Sequence, residues 1–383
     1  MLVPTTHEKN SIKSPNLKTL LSKFYKKMDL PKYDGNIFPD EWINIIQKYY
    51  YFWKSRYNLE TLEYLDFVKS LIDPTITLST GIDSFEKLRN ALKEDISFTV
   101  FKNTNKRKLQ SLNYDPERKG GDTSKFISTF RKLCYNAEIN DIEEQKKYLY
   151  KSLPNNHFDY ISNEFYNKMK NVKSINELTK EFEDIILEES NLIRNESIVA
   201  LKHVASGKYL SSINNLCYET GSNDQLVCSE PDPNSLWRIK SNKKGLITYA
   251  DTFINLQHVR SNKFLGISSY CVVYPYRYKY YRSPSNNTEV NLGKIENNWN
   301  LKHSKLENHQ GYLKSNDIIN LSIKKLYDNN GYSTKNGQIE FLRSHGIRFT
   351  VGDAIFHEVI CINEKPGEND EWYIELIHEV EIL

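Results

Sequence analysis

The sequence predicts two unlike domains in its 383 residues: an all-α domain first and an all-β domain second, the latter a β-trefoil. Three observations carry this expectation. Up to about Ser190 the apolar residues recur with a helical period; beyond it they fall in short alternating runs separated by Gly, Asn, Asp, Ser and Pro. In that second half a pattern occurs three times, at Leu201–Tyr209, Leu256–Phe264 and Phe341–Phe349, an apolar residue with an aromatic one eight places on. Each copy closes on a tryptophan with an apolar residue two places later, Trp237 with Ile239, Trp299 with Leu301 and Trp372 with Ile374. A unit repeated three times cannot bury its own apolar face and must pack against its copies.

Residues 1–32 carry no clear pattern and are expected to be flexible or partly helical. The helical domain is expected over 33–190, in lobes of about 33–115 and 120–190. Pro39 suits a first helical turn, with Asp40 and Glu41 beside the positive end of the dipole. Trp42, Ile45, Ile46, Tyr49 and Trp53 then share a face. Leu62, Leu65, Val68 and Ile72 make a second stripe, ended by Asp73-Pro74. Ser84 can cap a helix carrying Phe85, Leu88, Leu92 and Ile96. The Pro/Gly-containing stretch 113–124 reads as the break between lobes. Asp122 or Thr123 can cap the next helix, with Phe126, Phe130 and Leu133 inward. Ile142, Tyr148 and Leu149 follow, stopped by Pro154; then come Phe158, Ile161, Phe165 and Met169. Ser174-Ile-Asn-Glu177 has the form of a capping box before Leu178, Phe182 and Ile185. All these stripes read as core.

The order YDGNIFPDEWINIIQKYYYFW (33–53), resumed at DTSKFISTFRKLCYNAEINDIEEQKKYLYKSLPNNH (122–157), resembles the Gag capsid domain of gypsy-type long-terminal-repeat retrotransposons and their domesticated relatives. The resemblance covers most of 33–190 and implies a two-lobed helical fold that self-associates into homo-oligomers. The Gln-Gly…Glu element of retroviral capsids is not reproduced at Lys119-Gly120-Gly121, and no zinc-knuckle spacing occurs.

The trefoil is expected over 191–383. Its first unit comprises strands near 198–203, 208–211, 225–228 and 237–240; its second, strands near 253–258, 263–267, 288–292 and 299–302. The third is expected at 339–343, 348–351, 356–362 and 372–376. From Trp237 to Leu256 is 19 residues, but from Trp299 to Phe341 is 42, which predicts an insertion near 303–329, a long loop with room for a hairpin. Three four-stranded units suit six barrel strands capped by three hairpins, a closure that leaves few free edges. Trp237, Trp299 and Trp372 are then the structural core of the trefoil.

LKHVASGKYLSS, echoed as LQHVRSNKFLGI, with the closings Asn234-Ser-Leu-Trp237 and Asn369-Asp-Glu-Trp372, resembles the MIR domain, the trefoil of protein O-mannosyltransferases and of inositol-trisphosphate and ryanodine receptors. The third copy departs from it, with Arg343 where the others have His203 and His258. The resemblance implies a non-catalytic interaction module.

Composition narrows the functions further. Net charge is only +3, nearly balanced on both sides of Ser190, so nucleic-acid binding is not expected. No apolar run is long enough to span a bilayer, and the first residues lack the flank and apolar stretch of a secretory signal. The five cysteines show no C-x-x-C, which suits free thiols in a reducing compartment, hence a cytoplasmic expectation. No P-loop, G-x-G-x-x-G, G-x-S-x-G or H-E-x-x-H occurs, so no catalytic residue, metal or cofactor is expected. His203 and His258 read as satisfied structural histidines, and the basic cluster Lys102–Lys108 as a solvated helix end. Tyr274, Tyr276, Tyr278 and Tyr280 alternate along an extended segment. They are the candidate ligand- or partner-binding residues, able to stack on sugar rings or dock a protein; a strand packed inward would give the same pattern. The expected function is a self-associating, capsid-like helical module carrying a trefoil that binds a protein or glycan partner; the alternative is a monomeric adaptor whose trefoil binds carbohydrate or peptide.

Overall fold

The computed structural model describes residues 30–57, 60–154, 160–218, 221–249, 253–272, 277–351 and 353–377. The chain divides into two compact units after Ile186. Residues 1–29 of the N-terminal segment, Phe158, Tyr274 and Tyr276 lie outside the described residues.

The first unit holds eight α-helices among its described residues: α1 (Pro39–Tyr57), α2 (Thr61–Lys69), α3 (Phe85–Glu94), α4 (Ile96–Gln110), α5 (Thr123–Asn136), α6 (Ile142–Lys151), α7 (Tyr160–Lys168) and α8 (Ile175–Ser190). Their starts follow local chemistry. Ser84 Oγ accepts the Lys87 N–H at 3.2 Å, and Asp122 and Asp141 accept those of Lys125 and Glu144, each at 2.8 Å. Ser174 Oγ accepts the Glu177 N–H, while the Glu177 carboxylate reaches back to the Lys173 N–H rather than to that of Ser174. Two stripe members are misplaced by the sequence reading. Leu62 is 56 % exposed and Ile96 71 %; Tyr64 and Phe98 take the inward positions. Ile96 opens a new helix because Asp95 ends α3 and caps α4, its carboxylate accepting the Ser97 N–H at 2.8 Å.

The first core, from Leu30 through Trp42, Trp53 and Tyr64, ends at Leu92. α4 turns toward α5 and α6, where Asn105 accepts from Asn136, Lys102 pairs with Glu138 at 3.0 Å and Lys106 with Glu144 at 3.2 Å. Two charges of the basic cluster are thus engaged within the protein. The 113–124 stretch is anchored: Tyr114 is buried, and its N–H donates to the Ser152 carbonyl at 2.8 Å.

The second unit is a β-trefoil. Its barrel strands are β1 (Ile198–His203), β4 (Trp237–Lys240), β5 (Phe253–His258), β11 (Trp299–His303), β12 (Ile318–Lys324) and β15 (Trp372–Ile377). They pair antiparallel in that order, and β15 returns to β1, closing the ring. The caps come from β2 (Tyr209–Ser212) with β3 (Gln225–Glu230), β6 (Phe264–Gly266) with β10 (Asn291–Gly293), and β13 (Ile339–Val351) with β14 (Ala354–Ile362). A hairpin of β7 (Ser269–Cys271) and β8 (Tyr278–Tyr280), and the short β9 (Thr288–Glu289), interrupt the second unit.

Trp237, Trp299 and Trp372 are fully buried at equivalent places. Each indole N–H donates to a leucine carbonyl on the second strand of its own unit: Leu210 at 3.0 Å, Leu265 at 2.9 Å and Leu342 at 3.1 Å. The same register shows where the third unit begins. Leu201 faces Ile374, Leu256 faces Ile239, and the residue facing Leu301 is Leu321. Ile318–Lys324 is therefore the first strand of unit three, and the insertion expected near 303–329 begins only after Lys324. The extra residues lie between Leu321 and Phe341, in the loop that joins β12 to β13. Phe341 is the aromatic partner of Tyr209 and Phe264, not the opening apolar residue. Opposite Trp299 stands Ile323, so Ile323 and not Arg343 occupies the place of His203 and His258.

Candidate functional site

Outside the barrel, between units two and three, lies a groove of about 1280 Å³. Its floor is a single cross-strand row. Phe253 of β5 faces Asn300 of β11, which faces Ser322 of β12, which faces Phe341 of β13. Neighbouring strands are about 4.8 Å apart, so the backbone positions of the two phenylalanines stand about 14 Å from each other. Phe253 is 51 % exposed and Phe341 half-buried. An amide and a hydroxyl thus sit between two aromatic ends.

One wall is the turn from Lys294 to Asn298. It is pinned to the floor strand β5, since the Asn255 amide donates to the Asn297 carbonyl at 2.9 Å and to Asn298 Oδ1 at 3.1 Å. The Asn297 side chain lies directly over Gly266, where a Cβ would collide with it. Asn363–Pro366 also line the groove. A polar chain runs off Asp224. The Ser268 hydroxyl donates to Asp224 at 2.9 Å, and the Asn291 amide donates to Ser222 Oγ at 2.9 Å and to Glu289 at 3.0 Å. Glu289 is buried, and its charge is met by Asn291, the Ser222 hydroxyl at 2.5 Å and the Ser222 N–H.

Tyr280, Leu326 and Tyr327 also line the groove, and they belong to the two insertions that break the threefold pattern. The insertions hold each other. Tyr278 stacks on Tyr327 at 4.5 Å with 15° between planes, and its N–H donates to the Gly331 carbonyl at 3.0 Å. Tyr280 accepts the Leu326 N–H at 2.7 Å, and the Lys325 ammonium lies 4.9 Å from its ring. Burial raises the Tyr280 phenol above its usual value. Lys325 and Glu340 form a buried ion pair at 2.5 Å. Of the alternating tyrosines, then, Tyr278 spends a face on Tyr327, and Tyr280 contributes to the groove from an internally bonded position.

His203 and His258 sit against Trp372 and Trp237 with ring centroids 5.0 and 5.4 Å apart. Their Nδ1 atoms share hydrogen bonds with Ser206 and Ser261, each at 2.8 Å, and burial pushes both imidazoles below their ordinary value. These are neutral, internally satisfied histidines. Among the described residues no group of three His, Cys, Asp or Glu side chains could hold a metal ion, and no helix is long and apolar enough to cross a membrane.

Of the groove residues only Tyr280 was singled out from the sequence as a binding candidate; the floor residues Phe253, Asn300, Ser322 and Phe341 were not. Each sits on a different strand and has no local motif; the only signal is polarity at outward positions of strands whose inward positions are apolar.

No protein-family model and no curated protein matches the chain. Among solved structures it is similar to an SDF2-like protein from Arabidopsis thaliana, at 25 % identity over 48 % of this chain and 94 % of that one, TM-score 0.36. It is also similar to the protein O-mannosyltransferase Pmt1–Pmt2 complex of S. cerevisiae bound to the sugar donor, at 15 % identity over 82 % of this chain and 35 % of that one, TM-score 0.37. A ricin B-like lectin of Macrolepiota procera, in complex with lactose, is similar at 12 % identity over 48 % of this chain and 99 % of that one, TM-score 0.28. The trefoil stands on its own strand pairing and indole contacts, without these scores.

Proposed function

We propose that the chain is a non-catalytic recognition protein whose trefoil binds a carbohydrate in the groove floored by Phe253, Asn300, Ser322 and Phe341. The floor row carries this reading. A sugar ring presents an apolar C–H face that packs on an aromatic ring, and hydroxyls that need both donors and acceptors. Asn300 supplies both in one amide, Ser322 in one hydroxyl, and Asp224 extends the polar surface at the groove's side. A concave site with a few fixed polar groups is the usual form of a small-ligand pocket.

A glycan array with the full-length protein tests the reading, followed by titration of any hit against Phe253→Ala and Asn300→Ala. Loss of about tenfold or more in affinity in either variant, about 1.4 kcal/mol, is the expected result. Absence of any saccharide ligand, or binding that ignores both changes, would overturn it.

A second role is favoured by the exposed apolar side chains of the helical unit, among them Tyr51, Leu62 and Tyr166. This is where the resemblance to Gag capsid domains bears: a helical module that self-associates would present several trefoils at once and raise avidity. Light scattering of the full chain over a wide concentration range decides it; a strict monomer throughout sinks self-association. The five free cysteines suit a reducing compartment, and we place the protein in the cytoplasm.

A further inference from the structure

The pseudo-threefold axis generates two further copies of the floor row, and their contents differ. In one, Ile198 faces Arg238, which faces Gln257, which faces Phe264. In the other, Ile318 faces Tyr373, which faces Lys202, which faces Tyr209. The central rungs of both are long side chains. In the second of them the row is also tied down: the Tyr209 hydroxyl donates to Glu375 at 3.1 Å, and the Lys202 ammonium stands 5.5 Å from the Tyr209 ring. Only the row of the groove has short central rungs, Asn300 and Ser322. The open floor exists because two side chains are small.

The charge around that floor is uneven. Lys263, Lys294, Lys302, Lys324 and Lys365 line the groove, and none of them is ion-paired among the described residues, Lys324 donating only to the Lys335 carbonyl. Of the lining carboxylates, Glu364 is paired with Arg343 at 2.6 Å, which leaves Glu296 and Asp224, the latter accepting the Ser268 hydroxyl. The whole chain carries only +3, so five ammonium groups without an ion pair around one cleft, against the carboxylates of Asp224 and Glu296, are a local excess.

We infer that the groove takes an acidic saccharide, one bearing carboxylate or sulfate groups, and that each chain holds a single such ligand at this row alone. The inference rests on the carbohydrate reading above and adds to it the ligand's charge and the number of sites. Ring faces meet Phe253 and Phe341, hydroxyls meet Asn300 and Ser322, and the anionic groups meet the lysines. Arg238 with Gln257, and Tyr373 with Lys202, occupy the two equivalent sites in place of a ligand.

The test is calorimetric titration of the full-length protein with a uronate-bearing oligosaccharide and its carboxyl-reduced, neutral counterpart. A sulfated oligosaccharide and its desulfated counterpart, run in parallel, separate the two sources of charge. At least one acidic member should bind with a stoichiometry of one and about tenfold more tightly than its neutral partner. That advantage should shrink as salt rises from about 0.01 to about 0.15 M, where the Debye length falls from about 30 to about 8 Å. It should disappear in the double variant Lys294→Gln, Lys302→Gln, both exposed positions whose replacement leaves the core untouched. Ser322→Lys, which puts into this row the side chain found at the equivalent rung Lys202, should abolish binding of both members while the thermal transition stays cooperative. Equal affinity for the two members of each pair, more than one site per chain, or an acidic advantage that survives the lysine variant would each overturn the inference and leave the carbohydrate reading standing. Failure of every saccharide to bind would remove both.

Discussion

The three indoles make a quantitative prediction that depends on their equivalence. Consider Trp237→Phe, Trp299→Phe and Trp372→Phe, made one at a time. Phenylalanine keeps most of the buried ring and deletes the N–H, so the carbonyls of Leu210, Leu265 and Leu342 each lose a donor at 2.9–3.1 Å. An orphaned buried polar group costs about 1–3 kcal/mol, and the space left by the smaller ring adds on the order of 1 kcal/mol. Each substitution should therefore cost about 2–4 kcal/mol. Alanine in the same places would cost about 3–5 kcal/mol or more, close to the whole stability of a marginal domain at roughly 5–15 kcal/mol, which is why phenylalanine is the better probe. Urea unfolding should be followed at two wavelengths, because the helical unit and the trefoil need not unfold together. With a slope near 2 kcal/mol/M, the trefoil midpoint should fall by about 1–2 M in every variant. The helical transition, followed by its far-ultraviolet circular dichroism, should not move. One variant that costs nothing while the other two cost 2 kcal/mol or more would refute the reasoning, since it would show that the three surroundings differ in energy.

Acid should weaken the trefoil. The folded-state values of His203, His258, His303 and His357 are all depressed, chiefly by burial, so the unfolded chain binds more protons once pH drops below the ordinary value near 6.5. Stability is full above that value, declines as pH falls through the folded-state values, and levels off below them; the double variant His203→Gln, His258→Gln should flatten this slope in pH-dependent melting, and an unchanged slope would assign it elsewhere. Lys325→Ala alone or Glu340→Ala alone strands a buried charge and should cost about 3–5 kcal/mol, whereas Lys325→Met with Glu340→Leu should cost much less, measured by thermal unfolding. Gly266→Ala pushes on the Asn297 side chain and should disturb the groove wall, weakening ligand binding by more than its stability cost of about 1–3 kcal/mol explains.

The tryptophans and the change of period at Ser190 were enough to read the architecture, because both report buried surface, and buried surface is periodic. The third unit was misread for a reason equally physical. From Leu201 to Tyr209 and from Leu256 to Phe264 is eight residues, but from Leu321 to Phe341 is 20, because the loop between β12 and β13 is lengthened. Phe341 and Phe349 then met the eight-residue spacing by coincidence, along the single long strand β13. Distances from the tryptophans would have resolved it, since Trp237 to Leu256 is 19 residues and Trp299 to Leu321 is 22. Leu62 and Ile96 failed differently: each sits in the first turn of a helix, and at Ile96 the Asp95 cap starts a new helix and so breaks the stripe. The groove was invisible because its rungs come from four strands. What marks Asn300 and Ser322 is their shortness relative to Arg238, Gln257, Tyr373 and Lys202, a comparison that requires the register.

Because β1 finds its partner in β15, the first and last strands of the trefoil are zipped along six residue pairs, from Ile198 with Ile377 to His203 with Trp372. During synthesis, β1 must wait with one edge bare until nearly the whole unit has been made, whereas the helical unit, built from near-neighbour contacts, is already complete. A ribosome stalled before Trp372 would release an open ribbon whose two bare edges, on β1 and β12, are ready to pair with another chain. For this protein the vulnerable moment is the last few codons of the trefoil.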